Sequence, residues 1–397
     1  MSRTILLTLG RLPKGLDLAR SFAQAGWRVV VADPFPRHVL GASRAVSRAF
    51  QVTAPAQDAA RFREDLLDIV AAQDVSLIAP VSEEILHVAP LRERLPSFVQ
   101  VFAMPQADLL AVHDKARFAA FARELGLPAP ETAAAEDAAA QEIAASGPFI
   151  VKPRHACAGL GVRRHEAGAL WRREPGSLVQ RLIVGEERSV CALAHGGRVT
   201  GCVVYRGAMM SGTVAVRFER VEDPAIAGWV EAFAQATGWS GFLSFDFIVD
   251  AAGTPHAIEC NPRLTSGVHF FETADIARAM LDPSAPLRFR REALLQQFWP
   301  CLSQTQASFG DWPAFARNMR ALFGARDVTW SPRDPWPLVG QPWSAWPIIA
   351  RARAQRCSFG EAASADLLWR GEAGLTRAPG LRAEAQAQGG FEHARSS

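Results

Sequence analysis

The chain has 397 residues, enough for two or three domains, and its 49% apolar and 21% charged residues are ordinary for a globular protein with a sizeable core. Forty-three basic residues stand against 40 acidic ones, and no basic run carries interleaved aromatic residues, so nothing supports a nucleic-acid partner. No apolar stretch reaches the roughly 18 residues of a membrane span, and the first ten residues do not form a signal peptide, so we expect a cytoplasmic protein without membrane contact.

The first hundred residues alternate between strand-like and helix-like segments. We predict strands at 4–9, 28–32 and 77–79 and helices at about 14–25 and 58–72. This βαβαβ order implies a parallel sheet. The turn from Gly10 to Gly15 lacks the Gly-x-Gly-x-x-Gly fingerprint, so we expect a Rossmann-like domain that holds no dinucleotide, and a dehydrogenase is disfavoured.

Lysine is rare in this chain, with three lysines against forty arginines. Lys115 follows His113-Asp114 at the start of a helix rich in Ala and Phe, and Lys152 ends the strand 148–151. Lysine offers a phosphate a compact point charge where arginine offers a broad fork, so the two are not interchangeable at such a site. Lys115 and Lys152 are therefore candidate phosphate ligands, while a chance position stays open for Lys14.

Two further segments carry weaker signals. The small-residue loop 154–162 includes Gly159 and Gly161, and its backbone N–H groups are suited to folding over phosphates. Cys157 in this loop fits a packed residue better than a nucleophile. The segment 178–190 is either an ordinary pair of strands joined at Gly185 or part of a nucleotide site. The segment 131–146 is alanine-rich and predicts a surface helix between two domains.

The segment from Phe242 to Arg263 predicts a β-hairpin that ends in a metal site. Its two apolar, β-prone runs are 242–249 and 256–260, and Asp250-Ala-Ala-Gly253 supplies the turn. Folding about Ala252-Gly253 pairs residues whose numbers sum to 505, which places Asp246 opposite Glu259, with Asn261 on the same face. Opposed residues have Cβ atoms roughly 4.5–5.5 Å apart, so two carboxylates there repel unless a cation lies between them. Oxygen ligands of this kind suit Mg²⁺ or Mn²⁺, although a solvated hairpin is the alternative.

The pattern Asp-(12 residues)-Glu-x-Asn-Pro-Arg at a strand end resembles the metal-binding signature of the ATP-grasp superfamily of ATP-dependent carboxylate ligases. Lys115 and the Val151-Lys152-Pro153 element precede it in the order that this superfamily requires. The resemblance implies an α/β protein that is α+β in its nucleotide-binding part. It divides the chain into a Rossmann-like domain at 1–103, an ATP-grasp domain at 104–280 and a small C-terminal subdomain at 281–397.

The resemblance also implies roles for individual residues. Mg²⁺ would be held by Asp246, Glu259 and Asn261, and ATP phosphates would be bound by Lys115, Lys152 and the loop with Gly159 and Gly161. Backbone groups of Gln180, Arg181, Leu182 and Ile183 would contact the adenine, and Glu187 the ribose. Arg263 would neutralise a carboxylate or acyl phosphate.

By this resemblance the protein is an ADP-forming ligase that activates a carboxylate as an acyl phosphate and joins it to an amine, with amino-acid-like substrates expected. An ATP-binding regulatory protein without ligase turnover is the alternative. Ser266, Gly267 and His269 lie near the proposed site, and His269 is either a general base or a packed polar residue. Partners are expected to be small molecules, and a homodimer follows only from the habit of the family.

The sequence departs from the family in two ways. Ser244 stands where several relatives carry an arginine, and no third lysine is present, so Arg206, Arg217 or Arg220 would supply the remaining positive charge. The segment Ser82-Glu83-Glu84 either faces the active site, because ligands favour the carboxyl ends of parallel strands, or caps a helix.

The C-terminal third differs from the rest of the chain. Tryptophans at 299, 312, 330, 336, 343 and 346 stand there among prolines and arginines, and we interpret this cluster as part of a subdomain packed on the core rather than an aromatic binding stripe. The last residues, from about Gly374, predict a loose tail. Six cysteines without Cys-x-x-Cys spacing predict buried thiols rather than disulfides or zinc.

Overall fold

The computed structural model describes residues 3–154, 161–212 and 214–369. Its N-terminal part is a five-stranded parallel sheet of order β3-β2-β1-β4-β5, flanked by helices. The strands are β1 Thr4–Leu7, β2 Arg28–Asp33, β3 Arg48–Gln51, β4 Val75–Ala79 and β5 Gln100–Val101, and the helices are α1 Lys14–Gln24, α2 Ala59–Ala72 and α3 Ile85–Val88. This strand order confirms the predicted Rossmann-like arrangement.

Two strands of this sheet escaped the sequence prediction. β3 is an edge strand with three of its four residues exposed, so it lacks the apolar run that marks a buried strand. β5 has only two residues. β1, β2 and β4 are almost entirely buried, and their continuous apolar runs are what a parallel sheet covered on both faces requires.

The middle of the chain forms a small antiparallel sheet of order β6-β9-β7-β8. Its strands are β6 Thr132–Ala134, β7 Phe149–Pro153, β8 Arg163–His165 and β9 Ser177–Arg181, and the helices are α4 Gln106–His113, α5 Lys115–Glu124 and α6 Ala138–Ser146. The predicted helix at 131–146 is therefore wrong before Ala138, because Thr132 to Ala134 pair with β9 and only Ala138–Ser146 is helical.

A seven-stranded sheet of order β14-β13-β10-β11-β12-β15-β16 forms the largest layer. Its strands are β10 Gly185–His195, β11 Arg198–Ser211, β12 Val214–Val221, β13 Gly241–Asp250, β14 Pro255–Asn261, β15 Leu294–Gln296 and β16 Arg326–Asp327, with α7 Pro224–Thr237 and α8 Thr273–Leu281. Rings of α5, α7 and β13 pack into one aromatic core beneath the sheet, namely Phe118, Trp229, Phe233, Phe245 and Phe247. This core holds α5 against the hairpin of β13 and β14.

The C-terminal helices cover the far edge of that sheet. They are α9 Phe298–Ala307, α10 Trp312–Gly324, α11 Trp336–Val339, α12 Gln341–Gln355 and α13 Phe359–Ser364. Cys301 and Leu322 pack on Val216, but the six tryptophans do not make this contact, since each is 37–69% exposed. The C-terminal helices thus pack on the rest of the chain, as we interpreted, but not through these tryptophans. The predicted tail from Gly374 lies outside the described residues.

A buried ion-pair network links the C-terminal helices to the N-terminal sheet. Asp33, at the end of β2, accepts hydrogen bonds from the backbone of Gly10 and from the guanidinium of Arg11. Arg11 also donates to Asp366, which pairs with Arg351. The carboxylate of Asp33 is thus hydrogen-bonded by groups of the protein. Among the described residues, no helix is long and apolar enough to cross a membrane.

Candidate active site

The hairpin of β13 and β14 has the predicted register at its functional end. Asp246 pairs with Glu259, and Ser244 pairs with Asn261. A register shift between Asp246 and Phe247 moves the half of the hairpin nearer the turn by one residue, so the constant pairing sum of 505 is wrong there. This shift leaves Asp246, Glu259 and Asn261 together, and we name these three residues the acidic cluster.

Hydrogen bonds hold the carboxylate of Asp246 in place. Its Oδ1 accepts from the Ser189 hydroxyl at 2.7 Å, and its Oδ2 accepts from the Asn261 amide at 3.1 Å. Burial and then the facing charge of Glu259 raise the pKa of Asp246 to about 6. Across the described residues no group of three or more His, Cys, Asp or Glu is placed to hold a metal. The acidic cluster has two carboxylates and one amide.

Two of the three lysines reach this cluster. Lys115, the first residue of α5, places its Nζ 3.4 Å from Oε1 of Glu259. Lys152 on β7 donates to the side chain of Gln180 at 2.9 Å and to the carbonyl of Ile258 at 3.2 Å. Both lysines are buried, and burial lowers the pKa of Lys152 to about 8 against the opposing pull of Glu259. The structure thus brings together the predicted metal ligands and phosphate ligands.

The predicted adenine segment is only partly open. The backbone N–H of Arg181 donates to the carbonyl of Glu131, and that of Leu182 to the carbonyl of Pro148. The side chain of Gln180 is buried between Lys152 and Thr132. Ile183 lies between β9 and β10, and its N–H makes no backbone hydrogen bond within the described part of the chain.

Glu187 and the glycine loop lie at the border of the site. Glu187 is exposed on β10, two residues before Ser189, and so lies on the face of the sheet that carries Asp246. Gly161 has a φ of +75°, and a Cβ there would approach the ring of Pro153 to 3.0 Å. Glycine is therefore required at 161. Gly159 and Cys157 lie outside the described residues.

Arg263 follows the cluster and contacts the N-terminal part of the chain. Its Nη2 donates to Glu83 at 2.5 Å and to the amide oxygen of Asn261 at 3.1 Å. Ser244, which stands in place of the family's arginine, donates to the carbonyl of Arg263 at 2.9 Å. Glu83 contacts Arg263 of the site, whereas Glu84 accepts from the backbone of Val81 and Ser82 and makes no side-chain cap to α3, so the helix-capping alternative is wrong.

Comparison with known proteins agrees with this geometry. Residues 112–267 match the family profile of the ATP-grasp domain. The chain contains an ATP-grasp domain. A search of curated proteins gave no sequence match.

Solved structures extend the similarity beyond the profile. N5-carboxyaminoimidazole synthetase from Staphylococcus aureus has a TM-score of 0.59 at 14% identity, over 79% of this chain and 88% of that one. The biotin carboxylase domain of Hydrogenobacter thermophilus 2-oxoglutarate carboxylase, solved with MgADP and bicarbonate, has a TM-score of 0.57 at 16% identity over 73% and 71%. L-amino acid ligase from Bacillus licheniformis has a TM-score of 0.53 at 15% identity over 71% and 74%. At these identities the likeness establishes the fold.

His269 does not belong to the acidic cluster of the ATP-grasp domain. Its Nδ1 lies 2.6 Å from Oδ2 of Asp17 on α1, and Asp17 also pairs with Arg290. The ring is 2% exposed, so of the two alternatives for His269 the structure fits the packed polar residue. Gly267 is equally enclosed, because a Cβ there would lie 2.5 Å from Cβ of Cys191.

The arginines expected to replace a third lysine are engaged elsewhere. Arg206 pairs with Glu219, Arg217 with the amide of Gln296, and Arg220 donates to the carbonyl of Arg290. None of the three has a recorded contact with the acidic cluster within the described residues. Arg154 is better placed, since it follows β7 two residues after Lys152 and pairs with Asp114, the N-cap of α5.

Two residues near the site were missed by sequence reasoning. Ser189 bonds Asp246, and its only signal was a hydroxyl at the start of an apolar strand. Lys14 on α1 donates to the carbonyl of Leu264, directly after Arg263. Its signal was the scarcity of lysine, but nothing in its local sequence pointed to a loop 250 positions away.

Proposed function

We propose that the protein is an ADP-forming ligase that uses Mg-ATP to activate a carboxylate and joins it to an amine, with amino-acid-like substrates. The observation that carries this proposal is the pair of facing carboxylates, Asp246 and Glu259, with the buried lysines Lys115 and Lys152 beside them. Similarity to a carboxylase domain solved with MgADP and bicarbonate, and to an L-amino acid ligase, supports it. Action in the cytoplasm and a homodimeric state stay predictions.

The acidic cluster fits a magnesium ion. Two carboxylates and an amide offer hard oxygen donors, which Mg²⁺ or Mn²⁺ prefers. The raised pKa of Asp246 reflects burial beside Glu259, and a cation would relieve the repulsion between these two groups. Asp246, Glu259 and Asn261 would hold the ion, which when bound would neutralise charge on the phosphate oxygens of ATP.

The remaining residues would position the nucleotide. Lys115 and Lys152 would bind phosphate oxygens with compact charges, and Arg154 would supply the third positive charge. Ile183 offers a backbone N–H to the adenine, and Glu187 is placed for the ribose hydroxyls. Little covalent chemistry is required of the protein, so positioning and charge neutralisation would account for most of the rate.

The reaction would proceed in two steps. A carboxylate oxygen of the substrate attacks the γ-phosphorus of ATP, the bond to the bridging oxygen breaks, and ADP leaves. The amine nitrogen then attacks the acyl carbon, the amine loses a proton, and phosphate leaves as the amide bond forms. Arg263 would bind the substrate carboxylate and the acyl phosphate oxygens through its guanidinium fork.

The test is an assay of ADP and phosphate release with Mg-ATP across pools of amino acids and small carboxylic acids. Glu259→Gln should abolish pool-dependent release while the variant stays folded, because the proposed task of Glu259 is to hold metal. Glu219→Gln, an exposed carboxylate on β12, is the matched control and should keep full activity.

Full activity in the folded Glu259→Gln variant would refute the metal assignment. Tight ATP binding with no release in any pool would instead favour an ATP-binding regulatory protein.

A further inference from the structure

Lys14 is a buried amine that the proposed reaction does not use. It lies in the first turn of α1 and is 7% exposed. Its Nζ donates to the carbonyl of Leu264 at 2.8 Å and to the hydroxyl of Ser82 at 3.1 Å, and both acceptors are uncharged. Burial, together with the charge of Arg263, lowers the pKa of Lys14 to about 7. An apolar side chain of similar length would fill this space without the cost of burying an amine.

Ser82 and Leu264, the two acceptors of Lys14, are chain neighbours of an ion pair. Ser82 precedes Glu83, and Leu264 follows Arg263, while Glu83 and Arg263 form an ion pair at 2.5 Å. Lys14 therefore contacts both chain segments that carry this pair. The Ser82-Glu83 segment is itself held, because Glu84 accepts hydrogen bonds from the backbone of Ser82 and from the hydroxyl of Thr8.

The ATP-grasp domain holds Arg263 from the other side. Ser244 on β13 donates to the carbonyl of Arg263, and Asn261 accepts from its guanidinium. The backbone of the Arg263-Leu264 segment is thus fixed at one carbonyl by β13 and at the next by α1. A planar guanidinium binds a carboxylate well only when its plane is fixed, so both contacts bear on the orientation of the fork.

We propose that Lys14 is a positioning residue that orients Arg263 toward the carboxylate substrate, so that α1 of the N-terminal part sets the geometry of the ligase site. This inference rests on the proposed function. Lys14 itself does not touch the reacting atoms. A shift of the fork by about 1 Å is enough to lower the rate on the order of a hundredfold, which makes an indirect contact of this kind consequential.

Kinetics of Lys14→Met separate this role from a purely structural one. The variant should lower kcat/KM for the carboxylate found in the release assay by about tenfold or more, while KM for ATP changes less than about twofold. Arg20→Met is the matched control, because Arg20 is also on α1 but bonds Asp334 and the carbonyl of Thr329. It should leave both kinetic constants unchanged. Equal changes in both constants, or none, in Lys14→Met would overturn the proposal.

A spectroscopic readout is independent of turnover, because the chain has only three lysines. In protein labelled with ¹³C at lysine Cε, each lysine gives one NMR signal, and the signal missing in Lys14→Met is that of Lys14. Glu83→Gln should shift the Lys14 signal, since the two groups are electrostatically close, and MgADP should shift the Lys115 and Lys152 signals. If the Lys14 signal does not shift in Glu83→Gln, Lys14 is not close to the ion pair of Glu83 and Arg263, and the proposal is refuted even if the ligase is active. Release that fails in every pool, with the Lys14 shift intact, rejects the ligase function instead.

Discussion

Asp246 and Glu259 face each other across β13 and β14, and the ladder brings them together one residue before the register shifts. Two carboxylates in this position destabilise the fold unless a cation lies between them. Ser189 and Asn261 donate to Asp246, but burial still raises its pKa to about 6. The hairpin therefore carries an electrostatic cost that is explained by a function and not by stability.

Asp246→Asn should separate stability from function. Without divalent cations, the substitution removes the repulsion from Glu259 and should raise the free energy of unfolding by about 1 kcal/mol. Pool-dependent ADP release should be lost. Urea unfolding in EDTA measures the first effect, and the release assay measures the second.

The control for this experiment lies in the same hairpin. Asp250 accepts from the backbone of Ala252 and Thr254 and pairs with His256, so Asp250→Asn should lower stability. If Asp246→Asn also lowers stability in EDTA, the carboxylates do not repel each other and the cation site is not as argued.

Arg154→Met tests which arginine supplies the third positive charge. Loss of Arg154 should weaken binding of a non-hydrolysable ATP analogue by about tenfold, as expected for one charged hydrogen bond, and should affect MgADP less. Isothermal titration measures both affinities. Arg206→Met is the control, since Arg206 pairs with exposed Glu219, and it should change neither. Equal affinities for the analogue in Arg154→Met and the parent chain would remove Arg154 from the phosphate site.

The sequence predicted the hairpin because its signals are local. Alternating side chains and the Asp250 to Gly253 turn determine which residues oppose each other, and so Asp246 and Glu259 could be paired from their numbers. The register shift beside Asp246 was not predictable, because one extra residue in a strand leaves no mark on composition. The contacts of Lys14 and Glu83 with the Arg263 segment join parts of the chain that are 250 and 180 positions apart, respectively, and no local pattern encodes them.

The exposed tryptophans show a different limit of sequence reasoning. Tryptophan is highly buried on average, so the cluster from Trp299 to Trp346 predicted a subdomain packed on the core. Trp343 and Trp346 lie three residues apart on α12 and are 69% and 52% exposed. The guanidiniums of Arg37 and Arg353 lie 4.8 and 5.7 Å from their ring centroids. Arg37 from the N-terminal part and Arg353 on α12 thus approach ring faces that burial in the core would have covered.

Arg11→Met tests the link between the C-terminal helices and the N-terminal sheet. Arg11 is buried between Asp33 and Asp366, so its loss leaves two buried carboxylates without their main partner. The free energy of unfolding should fall by about 3–5 kcal/mol. Arg94→Met, which removes an exposed pair with Glu64, should change stability far less. Urea unfolding compares the two, and similar small losses would show that the buried network does not hold the helices.

The pH dependence of stability should reveal Lys14 directly. Because burial lowers its pKa to about 7, the folded chain gives up this proton above that pH, whereas the unfolded chain keeps it up to about 10. The unfolded state then binds more protons, so the contribution of Lys14 to stability rises with pH in this window. The titratable groups acting on it are Arg263, which lowers the pKa, and Glu84, Glu83 and Cys191, which raise it.

Lys14→Met removes the titration of Lys14, so the difference in stability between the parent chain and this variant reports on that group alone. The parent chain should gain about 1.5 kcal/mol relative to the variant between pH 7 and 8.5. Urea unfolding of both proteins at the two pH values gives the difference, in which buried thiols and other shared groups cancel. A constant difference across the window would mean that Lys14 keeps an ordinary pKa, and its amine would then be solvated rather than committed to the Arg263 segment.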